Sequence, residues 1–105
     1  MKLNNIFSQF PSDLSVEVFE KIAGNDKVTI ERIISTGQMT PAGQWYDQTQ
    51  REWVMLLKGA AKIEFENGEI VELGVGDHLD IAAHCKHRVA WTKDNFETVW
   101  LAVFY

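Results

Sequence analysis

The chain has 105 residues, 46% of them apolar and 24% charged, with six Phe, four Trp and two Tyr. That is the length of one domain and the composition of a globular one, which excludes a second core, a disordered chain and a coiled coil. Ten Lys plus Arg stand against fifteen Asp plus Glu, a net charge of −5 with the basic residues scattered singly, and this argues against a nucleic-acid partner.

Met1 to Phe10 has neither a continuous apolar stretch nor a small-residue cleavage site, so it does not read as a signal peptide. Two readings are open for residues 1–24, which are expected to pack on a barrel formed by residues 25–105. One is a short helix capped by Ser12 or Asp13, with Val18, Phe19 and Ile22 on one face; the other is an edge strand turning back at Gly24-Asn25-Asp26. Val28 to Ile34 is rich in β-branched residues, and Trp53 to Leu57 is an apolar run leading to Gly59; both read as strands. Lys62 to Glu66 and Glu69 to Leu73 alternate polar and apolar residues around Asn67-Gly68, a hairpin signal for which a type I′ turn is expected. His78 to Ala82, His87 to Thr92 and Thr98 to Tyr105 complete about seven strands, spaced as in an antiparallel sandwich or barrel.

Two strands are apolar on both faces. Trp53, Met55 and Leu57 oppose Val54 and Leu56, and Trp100, Ala102 and Phe104 oppose Val99, Leu101, Val103 and Tyr105. The surplus face predicts a homodimer through Trp53, Met55, Leu57 and the C-terminal strand. The alternative is that Met1 to Gly24 folds back over it. The longest apolar run, Val99 to Tyr105, has seven residues, far short of the roughly 20 that cross a bilayer. The single Cys85 forbids an internal disulfide, consistent with a cytoplasmic setting.

The residues that could carry chemistry lie in Trp45 to Glu52 and in Gly76 to His87. Glu52, six intervening residues and Gly59 resemble the end of the first motif of the cupin family, and Gly76 to His87 resembles the second, with Ile81-Ala82-Ala83-His84 at the family's Ile-Pro-Ala-Gly turn. The resemblance implies an all-β fold, a small antiparallel jelly-roll β-barrel, often dimeric, holding one divalent metal through two His and one Glu of the first motif and one His of the second. Glu52 matches the glutamate and His87 the second-motif histidine. The His-x-His places fall on Trp45 and Asp47, and His84 stands where glycine is usual.

From the residues themselves, Asp47 and Glu52 can face each other from neighbouring strands if Gln48 to Arg51 turns, and His87 enters from a third. His84 joins only if Ala83 to Lys86 forms a turn. The candidate metal set is thus Asp47, Glu52, His84 and His87, suited to Mn²⁺, Fe²⁺, Ni²⁺ or Zn²⁺ with positions open for a small-molecule ligand or substrate. Trp45, Tyr46, Val54 and Trp91 would line the pocket. The alternative is a metal-free barrel that binds a small ligand, in which Asp47 caps a loop and Glu52 pairs with Arg88 or Arg51.

Overall fold

Alternation of side chains along strands dictates the architecture, and the computed structural model, which describes residues 1–105, shows how. Eight strands form: β1 (Val18–Gly24), β2 (Thr29–Ser35), β3 (Glu52–Lys58), β4 (Ala61–Phe65), β5 (Ile70–Leu73), β6 (His78–Ile81), β7 (His87–Thr92) and β8 (Thr98–Phe104). They pair antiparallel in a five-stranded sheet, β1-β2-β8-β3-β6, and a three-stranded sheet, β5-β4-β7. The result is an antiparallel jelly-roll barrel, with the core between the two sheets. Val54, Leu56, Trp100 and Ala102 point inward from the larger sheet against Ala61, Ile63 and Leu73 of the smaller one. Burying a side chain such as Leu56, which is wholly inaccessible, is worth roughly 1.5–3 kcal/mol.

Val18–Gly24 is an edge strand paired with β2, and no helix forms in the residues before it. Those residues are tied down by one side chain. Arg32 points outward from β2 and donates hydrogen bonds to the carbonyls of Ile6, Ser8 and Gln9 and to the Glu20 carboxylate. Further along, Thr36 and Gln38 donate to the Leu14 carbonyl. The N-terminal segment therefore runs over the outer face of β2, where Ile34 and Val99 are buried outside the main core cluster. It does not shield the whole face. Trp53 pairs with Val103 and Met55 with Leu101 across β3 and β8, and all four remain partly exposed.

The hairpin between β4 and β5 forms where the alternation places it, but its turn is not type I′. Asn67 does not have positive φ; only Gly68 does, at 92°. The Gly68 amide donates to the Phe65 carbonyl and the Phe65 amide to the Glu69 carbonyl. This is a three-residue loop, a type I turn followed by a left-handed glycine, which also matches the strand twist. Asn67 serves instead through its side chain, accepting from the Glu69 amide at 2.9 Å.

Gly59, between β3 and β4, is required for two reasons. Its φ is +94°, and a Cβ there would lie 2.3 Å from Thr98 Oγ1 and 2.9 Å from Thr98 Cα. Gly68 shares the left-handed backbone but faces open space. Gly59→Ala should therefore lower stability by about 2–3 kcal/mol and Gly68→Ala by about 1 kcal/mol. Urea unfolding of the two variants checks the ranking, and equal losses would mean that the Thr98 contact carries no cost.

The chain from Thr36 to Arg51 crosses between the sheets and extends the smaller one beyond β7. Thr40 and Val89 are joined by a backbone bond of 2.9 Å, and Tyr46 and His87 exchange backbone bonds of 2.8 and 3.2 Å. Arg88 holds this crossing in place, donating to the Thr40 carbonyl at 3.0 Å while paired with Glu64 at 2.7 Å. Thr92 adds a bond to the Gln38 carbonyl at 2.6 Å. The Tyr46–His87 bridge brings the crossing segment to the mouth of the barrel.

Candidate functional site

A cavity of about 50 Å³ opens between the sheets. Its walls are mainly apolar: Ile33, Val54, Ile63, Val89, Trp100 and Phe104 surround it, with Phe19 from β1. The polar groups that reach it are Glu17, Tyr46, Gln48, Glu52 and His87. An outer pocket of about 220 Å³, lined by Gln38, Pro41, Gln44 and Trp45, shares Glu17 and Tyr46 with the inner cavity.

At the centre is an acid–imidazole pair. Glu52 opens β3 and His87 opens β7, so the barrel sets them on facing sheets, and His87 Nε2 lies 3.1 Å from Glu52 Oε1. Their side chains are 6% and 12% exposed. His87 Nδ1 lies 2.8 Å from the Cys85 carbonyl. A carbonyl only accepts, so Nδ1 carries a proton, and a single further proton is shared between Nε2 and the Glu52 carboxyl. Burial of the ring pulls the His87 pKa down, but the Glu52 hydrogen bond, the Cys85 carbonyl and the charge of Glu52 together outweigh it and leave the pKa raised. The pair therefore favours imidazolium and carboxylate and holds a proton at Nε2 in a mainly apolar cavity.

Glu17, just before β1, accepts a hydrogen bond from Ser35 Oγ, and Ser35 Oγ accepts from Trp100 Nε1 at 3.2 Å. Burial raises its pKa, and the Ser35 bond only partly offsets this. Tyr46 is raised as well, first by burial and then by the charge of Glu17, with Glu52 adding to it against a lowering bond to Thr40. Tyr46 thus stays a neutral phenol.

The four candidate metal ligands separate into two pairs. Glu52 and His87 meet inside, whereas Asp47 and His84 meet outside, with Asp47 Oδ1 2.8 Å from His84 Nδ1 and both side chains exposed. The expected turn at Ala83 to Lys86 does form. Cys85 donates its amide to the Ala82 carbonyl, and His84, at φ +60°, donates its own to the Gln48 carbonyl, which leaves the imidazole outside the barrel. Nor are Trp45 and Asp47 the inward pair of their segment; Tyr46 and Gln48 reach the cavity. Because side chains alternate, a displacement of one residue exchanges the inner and outer sets. Val54 does line the cavity. Trp91 does not: it stands on the outside of β7, 5.7 Å from Lys62 Nζ. Glu52 pairs with neither arginine, since Arg88 takes Glu64 and Arg51 takes Asp80.

The donor set decides whether a metal of the kind expected fits. Inside the barrel Glu52 and His87 are adjacent, and the other polar groups that reach the cavity are the neutral amide of Gln48, the phenol of Tyr46, whose deprotonation is disfavoured, and Glu17, whose carboxylate is engaged by Ser35. No group of three or more His, Cys, Asp or Glu side chains is placed to hold a metal ion. Structural and catalytic sites for these ions use at least three protein donors, so the residues do not fit that role.

Glu17, Gln48, Phe19, Trp100 and Phe104 were not singled out in the sequence as wall residues. Trp100 and Phe104 were legible as one face of β8, but Glu17 carried no signal, because its approach depends on the β1–β2 register. No helix is long and apolar enough to cross a membrane.

Known proteins share this architecture. A crystal structure from Ralstonia eutropha JMP134, of a protein provisionally named as a mannose-6-phosphate isomerase, is 45% identical, covers 99% of this chain and 97% of its own, and has a TM-score of 0.92. A rmlc-like cupin protein from Desulfovibrio desulfuricans is 16% identical, with 99% and 96% of the two chains covered and a TM-score of 0.76. The cobalt(II) form of HppE in complex with Tris buffer is 14% identical, with 92% of this chain and 55% of that one covered and a TM-score of 0.72. No curated protein matches the sequence. The family model described as "Cupin domain" matches residues 33–104, more than half the chain, and with it the barrel, the facing Glu52 and His87 and the Ralstonia relative find one explanation: this chain belongs to the cupin family.

Proposed function

We propose that this chain is a small-molecule-binding cupin that works without a resident metal, the Glu52–His87 pair serving as the hydrogen-bonding and proton-exchanging group for a ligand in the barrel. The observation that carries this reading is the 3.1 Å contact between His87 Nε2 and Glu52 Oε1, set in the wall of a mainly apolar cavity. The isomerase name of the Ralstonia relative is not carried over. A sugar phosphate would bring negative charge to walls that hold two carboxylates and no Lys or Arg. A metal-bearing barrel is the competing reading, supported by the likeness to HppE, and it predicts bound metal that depends on Glu52 and His87.

Metal analysis separates the two. Protein purified without a histidine tag or chelator should contain well under one equivalent of Mn, Fe, Ni or Zn, and the Glu52→Ala/His87→Ala double variant no less than the parent. A full equivalent in the parent that disappears in the variant would overturn the metal-free reading.

The outer face of β3 and β8 supports the homodimer as a second part of this proposal. Trp53, Met55, Leu101 and Val103 form a contiguous apolar ladder through their cross-strand pairs, and the N-terminal segment is bound over β2 instead. Light scattering should give a dimer for the parent and a monomer for Trp53→Glu/Met55→Lys. An unchanged mass in the variant would place the subunit contact elsewhere.

A further inference from the structure

The charge of the cavity walls narrows the class of ligand. Glu17 and Glu52 both reach the cavity, and no Lys or Arg does. The one cationic wall group, His87, is already matched by Glu52. Glu31 points into the barrel from β2 and feels the charge of Glu52: its pKa is raised first by burial and then by that charge. Glu17 is engaged through Oε2 alone, by Ser35, so its second oxygen is available to a ligand. The aromatic rings of Phe19, Trp100 and Phe104 line the same cavity.

We infer that the cavity selects a small molecule bearing an ammonium group, its cationic head held by Glu17 and its apolar body against Phe19, Trp100 and Phe104. This rests on the reading of the cavity as a binding site and adds the sign and chemistry of the ligand. A carboxylate with a free oxygen takes a charge-assisted hydrogen bond from an ammonium N–H. Aromatic faces attract the same cation through their negative π-systems. Anions meet the opposite field, and a neutral alcohol gains only the apolar contact and one ordinary hydrogen bond. Burial holds Glu17 above the usual carboxylate range, and an arriving cation supplies the counter-charge that burial withholds. The small inner volume suits a short apolar chain, and Glu17, shared with the outer pocket, holds the head at the junction of the two.

The test uses three probes of one shape, n-propylammonium, 1-propanol and propionate, titrated into ¹⁵N-labelled protein at neutral pH. The reporter is the Trp100 indole N–H, assigned with Trp100→Phe, because it donates to the same Ser35 hydroxyl that serves Glu17. Propylammonium should bind about tenfold more tightly than propanol, and propionate least. Glu17→Gln, which keeps an acceptor for Ser35, should abolish the preference for the ammonium over propanol. The rank order in the parent decides the matter even if that variant does not fold. Equal affinity for all three probes, or a preference for propionate, would overturn the inference and leave the binding site standing. If none of the probes shifts Trp100, both the inference and the reading of the cavity as a binding site fall.

Discussion

Replacing Arg32 with alanine should release residues 1–11 from the barrel and lower stability by about 2–4 kcal/mol. The arginine side chain is only 7% exposed. It makes two contacts with Glu20, at 2.8 and 3.0 Å, and reaches the carbonyls of Ser8 at 2.6 Å, Ile6 at 3.2 Å and Gln9 at 3.3 Å. Its guanidinium carbon also lies 5.0 Å from the Phe10 ring centroid. Removing one partner of a buried pair commonly costs 3–5 kcal/mol or so. Glu20 and the freed carbonyls can be rehydrated here, because they lie near the surface, and that brings the loss towards the lower figure. Lysine should not rescue, since a point charge cannot serve a carboxylate and three carbonyls as a planar fork of donors does. Urea unfolding measures the loss, and limited proteolysis should show new cleavage within residues 1–11. A variant with an unchanged midpoint and an intact N-terminus would show that the segment is held by apolar contacts instead.

What was legible in the sequence follows from which signals are local. The alternation in β4 and β5 and the β-branched run of β2 are local, and those strands formed within a residue or two of their expected bounds. The turn at Asn67-Gly68 was located but mistyped, because Asn-Gly fits both the type I′ turn and the loop with a left-handed glycine, and only backbone angles separate them. Within the candidate site, Glu52 and His87 were placed by their match to the two cupin motifs, and Val54 by strand parity with Glu52. Trp45 to Gln50 carries no alternating run, and a single bridge between Tyr46 and His87 sets its parity. With no hydrophobic pattern to specify register, the inward face is displaced by one residue: Tyr46, expected at the pocket, and Gln48 reach the cavity, whereas Trp45 lines only the outer pocket and Asp47 neither. His84 turned outward for a related reason: its left-handed backbone removes it from the parity of β6 and β7.

The charge state of His87 should reverse on replacing Glu52 with glutamine. In the parent, burial lowers the His87 pKa, while the Glu52 bond, the Cys85 carbonyl and the Glu52 charge raise it further than burial lowers it. The folded protein then binds the His87 proton more tightly than the unfolded chain does. The stabilisation is fully present below the unfolded value, about 6.5, and is lost as pH rises through the raised folded value. In Glu52→Gln the carboxylate's charge and its bond to the ring as an anion are gone, and burial, the largest single influence, outweighs what remains from Cys85. The folded pKa falls below the unfolded one, so the contribution of His87 now decreases as pH drops below about 6.5. A glutamine can still donate to a neutral Nε2, so the variant loses little at pH 8. Its deficit against the parent should widen steadily as pH falls from 8 to 6. Comparing the two proteins by urea unfolding from pH 6 to pH 8 isolates the His87 contribution from all shared groups, and NMR titration of the His87 ring protons reads the pKa directly. If the gap between parent and variant does not widen as pH falls, the proton at Nε2 is not held by Glu52, and the pair loses its role as the proton-exchanging group of the cavity.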